Sequence, residues 1–104
     1  MIVRAASWRT IVSIAGATEM MARALAPRVR VNAVAPGYVL PAPGQPAADH
    51  ARLHAQNPLA HGVTAEEVAS AALFLLTNKA VTGQTIFVDS GLRFQSHDRD
   101  FAFR

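Results

Sequence analysis

One ten-residue stretch, RVRVNAVAPG at positions 28–37, constrains the fold of this chain more than any other. It follows Pro27, which cannot continue a helix because proline lacks the amide hydrogen and clashes with the preceding turn. Residues 28–34 are rich in valine and alanine, and a strand of this composition is typically buried on both faces. Pro36 and Gly37 then end the strand. The stretch therefore predicts a helix end, a buried strand and a loop that is open to a ligand.

The residues before this stretch predict one more strand and one helix. Residues 10–14, TIVSI, form a β-branched run, which is typical of a short buried strand. From residue 17 the apolar side chains recur at helical spacing, and Thr18 and Glu19 carry groups that are favoured near a helix N-terminus. We therefore predict a strand over 10–14 and a helix over 17–26.

The clearest local signal is the segment TAEEVASAALFLLT at 64–77. Thr64 and Glu67 have the spacing of a capping box, in which the hydroxyl and the carboxylate each satisfy a free amide of the first turn. The apolar residues that follow recur at the spacing of one helix face. They are Val68, Ala71, Ala72, Leu75 and Leu76. A helix over 64–77 with this face toward the core is predicted.

Two further elements complete the chain. Residues 47–56 predict a short helix of low amphipathicity, and VTGQTIFVDSG predicts a strand over 84–89. The alternation of strands and helices indicates the α/β class, with about three parallel strands joined by crossover helices. Ligands of such sheets bind beyond the carboxyl ends of the strands, so the loop after Gly37 is the candidate binding edge.

Composition narrows the class of protein. The 104 residues suit a single domain, and 51% hydrophobic against 16% charged residues is the balance of a folded chain. The net charge of +3 comes from scattered arginines, which predicts no nucleic-acid surface. The chain has no cysteine, which fits a reducing cytoplasm, and no apolar run approaches the roughly 20 residues of a membrane span. We expect a cytoplasmic protein that binds neither nucleic acid nor membrane.

Three stretches, LAPRVRVNAVAPGYV, PLAHGVTAEEVASAALFLL and VTGQTIFVDSG, together resemble the C-terminal part of the short-chain dehydrogenase/reductase family. The resemblance covers roughly residues 17–92 and implies a partial Rossmann-type sheet. It also implies NAD or NADP as cofactor, and hydride transfer to or from a carbonyl, alcohol or pterin-type substrate. The short link between FLLTNK and VTGQ is similar to that of the pteridine or dihydromonapterin reductase branch.

The resemblance implies roles for residues at matching positions. Pro36 and Gly37 are expected beside the nicotinamide, and Val39 is at the position whose backbone meets the carboxamide. Tyr38 is expected to pack or to face a small-molecule substrate. Ser13 is a candidate for the family's substrate-polarising serine, although a plain serine at a strand end is the more ordinary interpretation.

The chain also departs from the family pattern. The Gly-rich turn that holds the cofactor pyrophosphate has no counterpart, because Gly16 is the only glycine before position 37. The family's catalytic Tyr and Lys, four residues apart, are absent, since Tyr38 and Lys79 are the only residues of these types. Matching Glu19 to the family's helix places Ile11 and Ala15 at the two catalytic positions. Counting back from Asn32 places Ser7 and Ile11 there instead.

Our preferred interpretation is that TIVSIAG is the family's preceding strand and that the segment with Tyr and Lys is missing after it. Residues 1–104 would then be a single truncated domain without the nucleotide-binding half, incompetent as an enzyme alone. The alternative is a non-catalytic fragment or a packing module. The sheet would have an unpaired edge, so we expect marginal stability or self-association.

Two other groups of residues are assigned structural roles. Asp49, His50 and His54 have helical spacing that suits a metal, but no further ligand is evident, so no metal site is predicted. Asp89 is expected to accept hydrogen bonds from turn amides. Ser90 stands where relatives usually have glycine.

Overall fold

The computed structural model describes residues 8–40 and 43–94, with side chains from residue 14 onward in these ranges. In chain order the elements are α1 (Trp8–Leu25), β1 (Ala33–Pro36), α2 (Ala47–Ala55), α3 (Ala65–Thr77), β2 (Thr85–Val88) and a short 3-10 helix at Leu92–Phe94. β1 and β2 form a parallel two-stranded sheet in which Ala33 pairs with Thr85 and Pro36 pairs with Val88. The predicted α/β class is confirmed, and so are the helices predicted at 47–56 and 64–77.

The main difference from the sequence prediction lies in α1. Residues 10–14, predicted as a strand, are part of one continuous helix that ends at Leu25, just before Pro27. β-branched residues lower helix propensity by only about 0.7 kcal/mol each or less, and a helix that has formed over residues 17–25 extends toward residue 8 without a second unfavourable nucleus. The described residues therefore contain two strands instead of about three. The interpretation of 10–16 as a strand is wrong.

Thr18 shows the consequence of this longer helix. It was predicted near a helix start, but it lies inside α1, where its side chain is fully buried and its hydroxyl donates a hydrogen bond to the carbonyl of Ile14 at 2.8 Å. A buried threonine hydroxyl inside a helix commonly satisfies itself in this way.

β1 is the centre of the small core. Ala33, Val34 and Ala35 are 1–3% exposed, and successive strand residues point to opposite faces, so both faces of β1 are covered. The amides of Ala33 and Gly37 donate to carbonyls of the β2 segment. Pro36 therefore directs its nitrogen away from β2 and removes no hydrogen bond from the ladder.

α3 begins as the capping box predicts. The Thr64 hydroxyl accepts from the Glu67 amide at 3.1 Å, and the Glu67 carboxylate accepts from the Thr64 amide at 2.9 Å. Leu75 is buried, but Leu76 is 73% exposed, so its predicted place on the core face is wrong. A two-stranded sheet is narrow, and it covers only part of the predicted apolar stripe.

Two polar side chains attach the segment before β1 to the end of α3 and to the residues that precede β2. The Arg30 guanidinium donates to the carbonyls of Leu75 and Leu76, at the end of α3, and to that of Val81, at 2.7–2.9 Å. The Asn32 amide donates to Val81 and accepts from the Gln84 amide. The predicted strand over 28–34 is therefore wrong for residues 28–32, which run beside residues 81–84 through these side-chain bonds, and β1 begins only at Ala33.

The buried apolar residues of the described part of the chain are few and small: Ala22, Ala33, Val34, Ala35, Val63 and Leu75. None of them is aromatic. In the same described residues, no helix has both the length and the apolar character needed to cross a membrane.

Candidate functional site

The carboxyl ends of β1 and β2 meet at one edge of the sheet. The last ladder bond there runs from the amide of Gly37 to the carbonyl of Val88 at 3.0 Å. Beyond it the chain leaves β1 through residues 37–40 and leaves β2 through residues 89–91. This is the edge at which parallel sheets bind ligands, and the expected cofactor residues Pro36, Gly37 and Val39 all lie on it.

Gly37 is held in place by the neighbouring strand exit. A Cβ at this position would lie 3.0 Å from Cα and 3.1 Å from Cβ of Asp89, which is too close for an ordinary contact. Gly37 does not have a positive φ, so packing and not backbone conformation requires glycine here. Gly37 is expected beside the nicotinamide, and contact with Asp89 is a separate reason for glycine at this position.

Asp89 organises the exit of β2. Its buried carboxylate accepts hydrogen bonds from the amides of Gly91 at 3.0 Å and Arg93 at 3.2 Å. These bonds form the turn that leads into the short 3-10 helix, which confirms the predicted role of Asp89. Ser90 has a φ of 52°, in the left-handed region where glycine is favoured, which accounts for the glycine expected at this position.

The loop after β1 offers both a side chain and a free backbone group. The Tyr38 side chain is 43% exposed, and Val39 is half-buried. Within the described ranges, the Val39 amide donates to no protein acceptor. Ser13 is elsewhere: it lies inside α1 and not at a strand end, and its side chain is outside the described part.

α2 contacts this loop through His54. Its Nε2 is 2.9 Å from the carbonyl oxygen of Tyr38, and its ring centroid is 4.0 Å from that of His50. A Cβ at position 62 would overlap the His54 ring, so the ring occupies the space that a side chain at Gly62 would need. Among the residues that the structure describes, no three His, Cys, Asp or Glu side chains come together to hold a metal.

The segment between α2 and α3 is tied to the exit of β2. The Leu59 amide donates to the carbonyl of Ser90 at 3.1 Å, and the Ser90 hydroxyl is 3.3 Å from the carbonyl of Gly62. Asn57 is buried, and its amide nitrogen donates to the carbonyl of His61 at 2.9 Å. Its Oδ1 atom has no partner within the described residues.

The residues at this edge fit the nicotinamide end of a dinucleotide but not its pyrophosphate. Gly37 has no side chain that would hold a ligand away from this edge, and the Val39 amide is free to donate. The N-terminus of α3, a type of site that often binds phosphate, already carries Glu66 and Glu67. Hydrogen bonds from the Thr64 amide and hydroxyl lower the pKa of Glu67, so its negative charge is retained there.

A shallow cavity of about 360 Å³ lies at the opposite, amino-terminal end of β2. It is lined by Phe74, Leu75, Ala80, Val81, Thr82, Gln84 and Ile86. None of these side chains is an acid, a base or a nucleophile suited to catalysis. The cavity therefore does not compete with the carboxyl edge as a catalytic site.

The fold and the edge define an α/β protein of the kind that binds its ligand at the carboxyl ends of parallel strands. A family model described as "Enoyl-(Acyl carrier protein) reductase" matches residues 12–93. The chain belongs to the short-chain dehydrogenase/reductase family.

Similar proteins are oxidoreductases. An uncharacterized oxidoreductase of Mycobacterium tuberculosis is 36% identical, with 83% of this chain and 35% of that protein covered. The 3-oxoacyl-[acyl-carrier-protein] reductase of Thermotoga maritima is 40% identical, with 76% of this chain and 34% of that protein covered. The chain therefore spans about a third of the length of these relatives.

The chain is also similar to part of longer proteins of known structure. FolM alternative dihydrofolate reductase 1 of Brucella canis, complexed with NADP, is 36% identical with a TM-score of 0.73, over 80% of this chain and 33% of that protein. A small-chain dehydrogenase in complex with NADPH is 32% identical with a TM-score of 0.64, over 80% of this chain and 40% of that protein.

Sequence reasoning missed two residues of this edge. It considered His54 only as a metal ligand, and it assigned no role to Gly62. The bond from His54 to Tyr38 joins residues 16 positions apart, and no periodicity or motif in the sequence signals it.

Proposed function

We propose that this chain forms the nicotinamide-facing part of an NAD(P)-dependent reductase site, with Pro36, Gly37 and Val39 as one wall. The observation that carries the proposal is the free Val39 amide, two residues after Gly37, at the shared carboxyl edge of β1 and β2. The similar structures with NADP and NADPH support the same cofactors here. When bound, such a cofactor supplies the hydride for reduction of the substrate.

The proposed substrate is a carbonyl compound or a pterin-type ring that approaches along the Tyr38 loop. The exposed phenol ring of Tyr38 can stack on a flat ring or pack against an acyl chain. The likeness to the Brucella FolM protein supports the pterin-type substrate, and the likeness to the 3-oxoacyl reductase supports the carbonyl substrate.

We also propose that the chain does not catalyse hydride transfer alone. Gly16 lies inside α1 with open space around it, so it forms no phosphate-binding turn. The continuous α1 supports replacement of the family's Tyr and Lys by other residues on an intact helix. Ile11 falls at one of the two catalytic positions in either alignment register, and it has no proton to exchange.

The test is a calorimetric titration of the purified chain with NADPH, combined with an assay for NADPH oxidation in the presence of dihydrofolate. We expect neither micromolar binding nor turnover. Micromolar affinity would contradict the lack of independent cofactor binding, and turnover above the rate without protein would contradict the lack of catalysis.

A titration with nicotinamide alone tests whether Pro36, Gly37 and Val39 form the proposed wall of the site. Nicotinamide should shift the Val39 amide resonance in a nitrogen-15 NMR spectrum at millimolar concentration, and benzoate at equal concentration serves as the control for nonspecific binding. No selective shift at Val39 would contradict the assignment of this edge to the nicotinamide.

A second candidate, a packing module, is supported by the surface of α3. Leu73, Phe74 and Leu76 are 59%, 50% and 73% exposed, an apolar patch unusual for a helix that faces water. We propose that this patch associates with a second copy of the chain. Self-association is compatible with the nicotinamide wall, because the wall lies at the other end of the sheet.

A further inference from the structure

The geometry points to His54 as a positioning residue that fixes the Val39 amide toward the cofactor edge. The inference deepens the proposed function and rests on it for the identity of the ligand. His54 lies in the last turn of α2, and its Nε2 atom is 2.9 Å from the carbonyl oxygen of Tyr38. A carbonyl oxygen only accepts hydrogen bonds, so Nε2 must carry the proton and donate it.

The bond acts on Val39 through the peptide unit. The carbonyl of Tyr38 and the amide of Val39 belong to the same planar trans peptide, in which C=O and N–H point in opposite directions. A donor that holds the carbonyl therefore also sets the direction of the amide. Within the described ranges that amide has no protein acceptor, so its direction matters to a ligand and not to the fold.

Two neighbouring residues contact the His54 ring. His50, one turn earlier on α2, lies with its ring centroid 4.0 Å away and its plane tilted by 58°. The ring also lies against Gly62, where any Cβ would overlap it. Gly62 is not in a positive-φ conformation, so its lack of a side chain serves this contact. A ring seated in this way orients its Nε2 hydrogen without a large loss of side-chain freedom on binding.

The first test uses the ligand-free wild-type chain and the nitrogen-15 chemical shifts of its histidine rings. We expect the Nε2–H tautomer at His54 and an ordered Val39 amide, with an order parameter of about 0.85. The Nδ1–H tautomer would overturn the inference, because the carbonyl of Tyr38 would then face an unprotonated nitrogen. This measurement needs no variant and is independent of folding defects.

Variants provide the second test. His54→Leu should lower the Val39 order parameter to about 0.6 or less, and Gly62→Ala should do the same by displacing the ring. His54→Gln places an amide N–H where Nε2 was and should retain most of the order. Arg52→Ala, an exposed change in the same helix turn, is the control and should leave Val39 unchanged. An unchanged Val39 in His54→Leu, or an equal loss in His54→Gln, would overturn the positioning role.

A titration with nicotinamide distinguishes the positioning role of His54 from the proposed function of the edge. In His54→Leu the apparent affinity for nicotinamide should fall by about two- to tenfold, the cost of ordering one flexible group on binding. If nicotinamide shifts no resonance of the wild type while the Nε2–H tautomer and the ordered Val39 amide are present, the proposed function fails and the positioning by His54 stands. If nicotinamide binds equally to wild type and His54→Leu, the positioning role fails and the proposed function stands.

Discussion

Three glycines show how single residues determine this fold for different reasons. A Cβ at Gly37 would press on the backbone of Asp89, and one at Gly62 would overlap the His54 ring. Gly16, by contrast, lies inside α1 with no other atom within 4 Å of where its Cβ would be. Glycine is therefore required by packing at positions 37 and 62, whereas at position 16 it only lowers helix stability.

At the residue scale we predict opposite effects of two glycine substitutions. Gly37→Ala should lower the free energy of unfolding by about 1–3 kcal/mol, because the added methyl group separates the exits of β1 and β2. Gly16→Ala, the matched control, should raise it by about 0.5–1 kcal/mol through helix propensity. Urea denaturation of the three proteins measures both changes. Equal stability of Gly37→Ala and wild type would contradict this prediction, because it would show that the loop after β1 accommodates the methyl group without a loss of stability.

At the scale of elements, α3 is capped at both ends by side chains. Its N-terminus carries the reciprocal bonds of Thr64 and Glu67, and its last carbonyls accept from Arg30, which lies 45 residues before Leu75 in the chain. The end carbonyls of a helix have no partner within the helix, so a guanidinium that reaches them also attaches α3 to the strand segment. One cap is local in sequence and the other depends on the tertiary fold.

The Arg30 cap can be tested by a substitution that keeps its apolar stem. Arg30→Met should lower the free energy of unfolding by about 1.5–3 kcal/mol, since it removes charge-assisted hydrogen bonds to three carbonyls. Arg28→Met is the control, because Arg28 is exposed and its change should stay within about 0.5 kcal/mol. Chemical denaturation measures the difference. A similar loss in the two variants would indicate a general effect of charge instead of a cap.

The Glu67 cap predicts a dependence of stability on pH. Hydrogen bonds from the Thr64 amide and hydroxyl hold the pKa of Glu67 below its ordinary value of 4.5. A lowered pKa in the folded state means that the stabilisation is complete above the ordinary pKa and is lost as the pH falls through the folded value. Wild type should therefore be more stable than Glu67→Gln at neutral pH, and the difference should shrink as the pH falls below the ordinary value of 4.5 and through the lowered pKa of the folded state.

Denaturation curves of both proteins from neutral to acid pH provide this comparison. Glu66→Gln is the matched control, because Glu66 also lies in the first turn of α3 but makes no bond to Thr64. A stability difference between wild type and Glu67→Gln that persists unchanged in acid would contradict the role of the carboxylate in the cap.

At the scale of the whole molecule, a small core is combined with a large exposed apolar surface. The buried apolar side chains of the described part are mostly alanine and valine, whereas Leu73, Phe74 and Leu76 on α3 face outward. Small domains gain little from burial, and α3 here leaves much of its apolar surface in water. Marginal stability therefore stays a prediction, and association through α3 is the way in which this surface would be covered.

Association can be tested with two leucines of nearly equal exposure. Leu76 on α3 is 73% exposed and Leu40 in the loop after β1 is 74% exposed. Leu76→Lys should remove concentration-dependent association, because a charge in the apolar patch opposes contact with a second copy, whereas Leu40→Lys should leave it. Sedimentation velocity over a range of concentrations measures this. A wild-type chain that stays monomeric throughout would refute the association.

The sequence predicted those parts of the fold that depend on neighbouring residues. The capping box at Thr64 and the helix it starts, the turn bonds of Asp89, and the strand exit at Pro36 and Gly37 are all present. The strand at 10–14 was wrong because β-branched composition is a weak local preference that a continuing helix overrides. The exposure of Leu76 was missed because periodicity gives the apolar face of a helix but not the width of the sheet that covers it.

By itself, the sequence determined the α/β class, the family and the position of the edge at which the strands end. Only the tertiary structure decided that His54 bonds to the Tyr38 carbonyl and that Asp89 occupies the space beside Gly37. It also decided that Arg30 caps the C-terminus of α3. Capping, turns and periodicity act between residues a few positions apart, so their signals can be seen in the sequence. These three contacts join residues 16 to 52 positions apart, and they exist only after the chain has folded.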